Sequence, residues 1–433
     1  MYIKTRLTVL NFLQFAVWGA YLTSMGIFLA GAGFADKIGW FYATQGFVSL
    51  FMPAVIGIIA DRWIPAQKML ALCHFLAALF MAGAAYCGAQ SVINFSALFA
   101  CYTVSVAFYM PTLALSNSVA YTALRQQGLD TVKVFPPIRV FGTVGFIAAM
   151  WTSNFAQFQL SYTQWYFSAV LGFILAAYSM TMPNCPTNQT EAKSLAEAMG
   201  LKAFALFKQK KMAIFFIFSM LLGMSLQVTN GFAGPFITGF NELAGFTGSW
   251  GANNATALVS LSQISETLCI LLIPFFLKRY GIKKVMLISM FAWVLRFGFL
   301  GMGNPSTAIG MLLLIASMIV YGVAFDFFNI SGSLYVDQET DPSIRSSAQG
   351  VFMLMTNGFG AAIGSLAAQK VINALVNVHI NPALKVNGVY PVDLSQLIKQ
   401  GWSESWFIFA AFAFVVAILF AFMFKYEHKP EIN

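Results

Sequence analysis

The chain carries one acidic residue in a markedly apolar setting. Asp326 lies in "YGVAFDFFNISGS" (321–333), which follows "AIGMLLLIASMIV" (308–320), where no residue is charged. A helix through both stretches would place this carboxylate deep in a hydrocarbon layer, which costs about 2.5–3.5 kcal/mol on insertion scales. Ionisable residues at such depth usually serve a ligand, an ion or a proton. Asp326 is therefore the first candidate for a functional residue.

Further polar side chains recur at helical spacing in neighbouring apolar stretches of the second half. They are Gln227 with Asn230, Gln263 with Glu266, and Gly322, Asp326, Asn329 and Ser333. Spacings of three, four and seven residues put each group on one helix face. Only Glu266 and Asp326 are acidic residues expected deep in a bilayer, so either could bind and release a proton. Asp326 could instead pair with Arg139 or Arg296, and buried amides often only bond neighbouring helices.

Two similar stripes occur in the first half. They are Asn11, Gln14 and Trp18, and then Arg139, Thr143 and Phe146. Amides and carboxylates recognise hydroxyls and base edges, whereas rings such as Phe146, Tyr321 and Phe325 can cover a flat ring. This mixture suits a polar, uncharged ligand that contains a ring. Arg139 follows a Pro-Pro helix-start signal, so an interfacial position is the alternative for it.

The composition excludes a soluble protein. Of 433 residues, 59% are hydrophobic and 9% charged, against roughly 25% charged in soluble domains. The net charge of +9 could indicate nucleic acid, but the basic residues cluster in short loops, so no nucleic-acid partner is predicted. Five cysteines without paired spacing favour neither disulfides nor zinc. His74 is predicted to be a bonded core residue rather than a proton relay.

No motif of a common enzyme class is present. The sequence lacks a Gly-x-x-x-x-Gly-Lys-Ser/Thr loop, His-Glu-x-x-His and Gly-x-Ser-x-Gly. The glycines at 358, 360 and 364 imitate a dinucleotide fingerprint, but they lie within an apolar run, which favours close helix packing. We therefore predict no enzyme, no cofactor and no metal site.

Apolar stretches long enough to cross a bilayer recur along the whole chain, which predicts an all-α integral membrane protein with twelve transmembrane helices. The predicted spans are 7–30, 40–60, 67–87, 94–121, 137–157, 162–182, 212–238, 255–277, 284–302, 308–335, 346–374 and 403–425. An even number of spans places both termini on one side of the membrane.

The distribution of basic residues predicts which side that is. The loops on the side of the termini hold 18 of the 24 Lys and Arg residues. These are Lys4, Arg6, Arg62, Lys68, Arg125, Lys133, Lys193, Lys202, Lys208, Lys210, Lys211, Lys278, Arg279, Lys283, Lys284, Arg345, Lys425 and Lys429. Cytoplasmic loops are enriched in such residues, so both termini are predicted to be cytoplasmic.

The polar segment 183–211 divides the predicted spans into two sets of six. It separates an N-terminal bundle (1–182) from a C-terminal bundle (212–433), and its residues 194–210 have the spacing of an amphipathic surface helix. Each half also holds a partial major facilitator motif between its second and third spans, at 57–62 and 278–284. Asp61 and Arg62 are accordingly gating candidates, and an interfacial helix end is the alternative interpretation.

Long, unusual strings in this chain resemble the bacterial nucleoside permeases, the nucleoside:proton symporters of the major facilitator superfamily. The strings are "NFLQFAVWGAYL" (11–22), "YMPTLALSNSVAY" (109–121), "FPPIRVFGTVGFI" (135–147), "MAIFFIFSMLLG" (212–223), "SQISETLCILLIPFFLKRYGIK" (262–283), "MIVYGVAFDFFNISGS" (318–333) and "SSAQGVFMLMTNGFG" (346–360). The resemblance covers nearly the whole chain. The chain departs from the family pattern at 231–254 and 375–402.

The resemblance implies two pseudosymmetric six-helix bundles around a central site, in a bacterial inner membrane. It implies uptake of purine and pyrimidine nucleosides with protons by a carrier that we expect to work as a monomer. The implied substrate site consists of Arg139, Thr143, Phe146, Gln227, Asn230, Gln263, Glu266, Tyr321, Phe325 and Asp326, with the proton on Asp326 or Glu266. The nearest alternative is an uncoupled facilitator of sugars or xanthosine-like compounds. A membrane enzyme or receptor and a channel are the others.

Overall fold

The computed structural model describes residues 2–187, 201–341 and 344–426, and this part of the chain is almost entirely helical. Its main helices are α1 (Ile3–Gly19), α2 (Met25–Gly31), α3 (Ile38–Ser49), α4 (Met52–Arg62), α5 (Ala66–Gly88), α6 (Phe95–Gln126), α7 (Thr131–Phe155), α8 (Thr163–Ser179), α9 (Lys210–Gly239), α10 (Ala255–Ile270), α11 (Ile273–Met302), α12 (Ala308–Glu339), α13 (Arg345–Met353), α14 (Ala361–Leu375) and α15 (Val392–Met423). A π-helix, Leu354–Gly360, joins α13 to α14.

The helices account for the twelve predicted spans. Eight helical segments of the described chain are long and apolar enough to cross a membrane alone. The other four spans are shorter or broken: α1 with α2, α3 with α4, α8, and α10. Helical backbone bonds continue between α1 and α2, where the Leu22 amide donates to the Trp18 carbonyl at 2.9 Å. Helices α3 and α4 meet at an angle of 42°.

The last span begins earlier than its hydropathy indicates. The prediction began at 403, but α15 begins at Val392. Its first turns contain Asp393 and Lys399, which lower the mean hydropathy although one face is buried through Ser395, Ile398 and Trp402. The helix therefore extends beyond the apolar window, and the connection between the last two predicted spans is correspondingly shorter.

A single glycine marks the boundary between the predicted eighth and ninth spans. Gly281, in α11, has φ 75° and ψ 167°, and two helical stretches meet there at a kink. L-residues rarely adopt this backbone conformation, whereas glycine does so readily. The second copy of the partial facilitator motif thus has its glycine where the backbone requires one.

Replacing Gly281 with alanine is expected to destabilise the protein by about 1–3 kcal/mol, because an alanine would be strained at this φ and ψ. The midpoint of thermal unfolding in detergent measures the effect. Gly298→Ala is the matched control, since Gly298 lies in the same helix and a Cβ there has no atom within 4 Å. Equal midpoints for the two variants would contradict the prediction.

The described residues form two compact units. The first comprises those of Met1–Phe28 and Thr44–Lys202, and the second those of Leu29–Ala43 and Ala203–Asn433. In the first unit α1 packs along α7 and α8, and α5 packs on α6 and α8. Helices α1 and α7 approach so closely that a Cβ at Gly145 would overlap the carbonyl oxygen of Phe12, and one at Gly19 that of Phe146.

In the second unit α9 packs against the π-helix and α14 through small residues. A Cβ at Gly360 would lie 2.6 Å from the Met220 carbonyl oxygen, and one at Gly364 would lie 2.5 Å from the Met224 Cα. Glycines let helix backbones approach in this way in membranes. The helix-packing interpretation of the glycines at 360 and 364 is confirmed.

The segment between the two predicted bundles is described only in part. Leu201–Lys208 forms a 3₁₀ helix, in which Ala203 and Leu206 are buried. This spacing of three matches the 3₁₀ period and gives one apolar face. Residues 194–200 of the predicted amphipathic helix lie outside the described residues.

Candidate functional site

The two predicted intramembrane carboxylates belong to helices that pack tightly together. Asp326 on α12 is 5% exposed, and Glu266 on α10 is close enough to interact with it electrostatically. The contact depends on Gly322, where a Cβ would lie 2.5 Å from the carbonyl oxygen of Ser265. The Ser265 hydroxyl also donates to the Ile319 carbonyl. Because Glu266 follows Ser265 and Asp326 follows Gly322 by one turn, this contact brings the carboxyl groups together.

Asp326 has an unsatisfied oxygen in this arrangement. Within the described part of the chain, its Oδ2 has no hydrogen-bond partner. The predicted alternative, an ion pair with Arg296, is not found among the described residues, and Arg296 Nη1 donates to the Ser317 carbonyl at 2.7 Å. A buried carboxyl group that lacks a partner is costly. Asp326 therefore has the capacity to accept a proton or a ligand donor.

An aromatic stack lies beside the carboxyl pair. The rings of Tyr321 and Phe325, one turn apart on α12, are 5.7 Å apart and nearly parallel, at 7°. Tyr321 is buried and lies near Gln263 on α10, whereas Phe325 is partly exposed. Phe325 can therefore present a ring face to a flat ligand.

The amides predicted on α9 bond each other. Asn230 Nδ2 donates to Gln227 Oε1 at 3.1 Å, and Gln227 is 8% exposed. This bond within one helix orients both side chains. It leaves the Gln227 amino group and the Asn230 carbonyl oxygen to serve a ligand, as one donor and one acceptor.

The predicted residues of the first unit lie along α7. The Arg139 guanidinium covers the Phe15 ring, with Cζ 3.9 Å from the ring centre. Phe146 is buried and meets Trp18 edge-on at 6.2 Å between ring centres, and Thr143 is partly exposed. The structure thus brings Trp18 of the first-helix stripe to Phe146.

The two amides of the first-helix stripe belong to the core of the first unit, which agrees with the alternative that buried amides bond within the protein. Gln14 is fully buried, and its Nε2 donates to Thr112 Oγ1 at 2.8 Å. His74 Nε2 lies 2.8 Å from Gln14 Oε1, so His74 is the bonded core residue that was predicted. The Asn11 amide donates to the Leu7 carbonyl at 3.0 Å within its own helix. The sequence spacing could not distinguish a core-facing amide from a ligand-facing one.

The predicted substrate site also left out residues that line a cavity beside Phe325. A small cavity in the second unit is lined by Leu222, Gly223, Leu226, Trp293, Ala324, Phe325, Phe328, Asn329, Thr356 and Asn357. Thr356 and Asn357 come from the π-helix, which hydropathy and helical periodicity do not reveal. Asn329 was part of the polar stripe of α12, so the signal for it was present. Its spacing alone did not separate it from a packing residue.

The gating candidates stand at the end of α4, which terminates at Arg62. Arg62 is partly exposed, and the side chain of Asp61 lies outside the described part of the structure. A gating role for these two residues stays a prediction.

Comparisons with known proteins agree on one family. A family profile described as "Nucleoside H+ symporter" matches residues 1–429. The nucleoside permease NupG of Escherichia coli (strain K12) is 45% identical over 433 residues, which cover 99% of this chain and 97% of that protein. The xanthosine permease of the same organism is 45% identical over 434 residues, which cover 100% of this chain and 98% of that protein.

Solved structures confirm the predicted fold class. A crystal structure of a mutant of the nucleoside transporter NupG matches with a TM-score of 0.88 and 44% identity, over 98% of this chain and 100% of that chain. A bacterial homologue of the human lysosomal transporter Spinster matches with a TM-score of 0.69 at 14% identity, over 98% of this chain and 96% of that chain. The latter likeness concerns the fold alone. The chain is a twelve-helix membrane protein with the major facilitator fold.

Proposed function

Because this chain belongs to the nucleoside H+ symporter family, we propose that it imports purine and pyrimidine nucleosides together with protons through the polar residues described above. Import of nucleosides by proton symport is the activity of the family, and the chain is a transporter rather than an enzyme. The proposal adds the residues that carry this activity. They are Arg139, Thr143, Phe146, Gln227, Asn230, Gln263, Glu266, Tyr321, Phe325 and Asp326.

The arrangement on α10 and α12 supports the proposal most strongly. It combines two carboxyl groups, the amide of Gln263 and the partly exposed ring of Phe325 in one cluster. Carboxylates and amides accept or donate hydrogen bonds to ribose hydroxyls and base edges, and an aromatic ring stacks on a base. The amide pair on α9 and the polar face of α7 supply further donors and acceptors.

The proton is carried by Asp326 or Glu266 in this proposal. Two carboxyl groups that interact in a low-dielectric setting favour a state in which one is protonated, because like charges at short range repel each other. Binding of a nucleoside donor to the ionised member changes that balance. Substrate and proton occupancy are thereby coupled.

Location and orientation complete the proposal. The chain is a multi-pass protein of a bacterial inner membrane. The excess of Lys and Arg in the loops on the side of the termini supports cytoplasmic termini. We further propose two functional bundles, 1–182 and 212–433, a lipid-embedded monomer as the working unit, and Asp61 with Arg62 as gating residues.

One alternative substrate has a specific observation in its favour. The xanthosine permease of Escherichia coli is as similar to this chain as NupG is, at 45% identity. Xanthosine shares the ribose with other nucleosides but carries a more oxidised base, so the same hydroxyl contacts serve both. Discrimination would then arise at the groups that face the base edge.

We expect cells that lack their own nucleoside carriers to accumulate labelled uridine when they produce this protein. A protonophore should abolish accumulation, because the proton gradient drives it. Unlabelled adenosine, cytidine and xanthosine, each added in excess, rank the preferred bases. Accumulation that is indifferent to the protonophore would contradict proton coupling, and absence of uptake for every nucleoside would contradict the substrate class. Chemically unchanged internal uridine would exclude an enzyme.

A further inference from the structure

Arg296 is a buried cation that the substrate-site prediction left out. It lies on α11 and is 2% exposed. Its Nη1 donates to the carbonyl oxygen of Ser317 at 2.7 Å and to the hydroxyl of Ser262 at 3.3 Å. Ser317 lies on α12, one turn before Tyr321, and Ser262 lies on α10, next to Gln263. Arg296 therefore joins the two helices that carry the carboxyl pair.

The aromatic ring of Tyr321 partners this positive charge. Buried arginines in membrane segments usually pair with a carboxylate or backbone carbonyl. Across residues 2–187, 201–341 and 344–426, no ion pair of Arg296 occurs and its Nε has no hydrogen-bond partner. Besides the bond to the Ser317 carbonyl, the guanidinium contacts a ring, because its Cζ lies 4.6 Å from the centre of the Tyr321 ring. A cation over an aromatic face is most favourable when both groups are desolvated, as here.

A second residue of α11 contacts the same ring. Trp293, which precedes Arg296 by three residues, meets Tyr321 edge-on at 6.0 Å and 88°. Tyr321 in turn stacks on Phe325 at 5.7 Å and 7°. Tyr321 is buried and Phe325 is partly exposed, so residues of α11 contact a buried ring that stacks on a partly exposed one.

We infer that Arg296 is a positioning residue for substrate recognition, which fixes the ring of Tyr321 and thereby the plane of Phe325 on which a nucleoside base stacks. It acts through Tyr321 and does not touch the nucleoside. An arginine suits this role because its guanidinium is planar, remains charged and donates hydrogen bonds while it stacks on a ring. The inference rests on the proposed function, because it assumes that a nucleoside is the ligand.

Arg296→Met tests this role, since methionine is long and apolar but has neither a charge nor a planar group that could stack on a ring. We expect the KM for uridine uptake to rise about tenfold, the effect of one lost desolvated cation–ring contact, with the maximal rate per carrier within about twofold. Arg296→Lys keeps the positive charge but lacks the planar guanidinium, so it should raise KM less than Arg296→Met does. Leu295→Met is the matched control, because Leu295 is the adjacent residue and is 52% exposed.

A double-mutant cycle with Tyr321→Leu separates positioning from a general structural role. If Arg296 acts through Tyr321, Arg296→Met should raise KM no further in the Tyr321→Leu background. An equal further rise would show that Arg296 acts independently of the ring and would overturn the inference. An unchanged KM for Arg296→Met in the wild-type background would also overturn it.

A variant of Arg296 that fails to fold also gives a result that bears on the inference. If Arg296→Met does not reach the membrane, Arg296→Lys replaces it in the cycle, with the same expectations. If neither variant reaches the membrane while Leu295→Met does, Arg296 is a structural residue and the inference is overturned. Uridine uptake by the wild-type protein tests the proposed function separately, so failure of one is distinguishable from failure of the other.

Discussion

Replacing Asp326 with asparagine is expected to abolish proton-driven accumulation of nucleoside. Asparagine keeps the size and one oxygen of the side chain but cannot bind and release a proton near neutral pH. Each proton that crosses with the substrate adds about 2.3 kcal/mol per 100 mV, enough for roughly 50-fold accumulation. The variant should therefore only equilibrate uridine across the membrane, at an internal-to-external ratio of about one. Labelled uridine in energised vesicles, with and without a protonophore, measures this ratio.

Two further variants make the Asp326 experiment decisive. Glu266→Gln tests the other carboxyl group: if Asp326 carries the proton, this variant keeps protonophore-sensitive accumulation, whereas its loss in Glu266→Gln alone would assign the proton to Glu266. Glu404→Gln is the control, since Glu404 is an exposed carboxylate on α15. If Asp326→Asn and Glu266→Gln both still accumulate uridine in a protonophore-sensitive manner, neither residue carries the proton. The proposed coupling site would then be wrong.

The second large effect is expected from Gly145→Leu, which should prevent α1 and α7 from packing. Even the Cβ of a side chain at this position would overlap the carbonyl oxygen of Phe12, a backbone atom that cannot rotate away. Overpacked interiors lose about 1–3 kcal/mol and occasionally more, and a leucine between two backbones belongs to the upper range. We expect a sharp loss of folded protein in the membrane, measured by fluorescence-detected size exclusion.

The control for this variant is Gly57→Leu in the same unit, where a Cβ meets no atom within 4 Å. It changes a helical glycine in the same way but adds no overlap. Gly145→Ala provides an intermediate case, with a smaller loss than leucine. Normal amounts of the leucine variant with unaltered uridine uptake would show that α1 and α7 do not require this contact.

Much of the fold follows from local properties of the sequence. In lipid, backbone N–H and C=O groups must bond within the chain, so an apolar run of about 20 residues has little alternative to a helix. The same constraint makes residue spacing informative, because the helical period puts Gln227 with Asn230 and Gly322 with Asp326 on shared faces. The edges were less accurate where polar residues begin a helix, as at Val392 in α15.

From the sequence, the candidate site was predictable only as a set of helix faces that carry polar residues. Spacing grouped Asn11, Gln14 and Trp18 together, yet Gln14 bonds His74 and Thr112 in the core while Trp18 meets Phe146. Both environments are polar or aromatic, and both lie on the inward side of the helix. The rotation of a helix by a few tens of degrees decides between them, and no local pattern encodes that rotation.

The amino-acid sequence by itself determined the membrane-spanning helices, the polar stripes and, through its unusual strings, the family. Only the tertiary structure decided which stripe members meet: Glu266 with Asp326, and Arg296 with Tyr321 rather than with a carboxylate. The physical reason is that helix association in lipid depends on close backbone contacts at small residues. The contact of Gly322 with Ser265 sets how closely α12 approaches α10. Such contacts join residues far apart in the chain, so they have no local signature in the sequence.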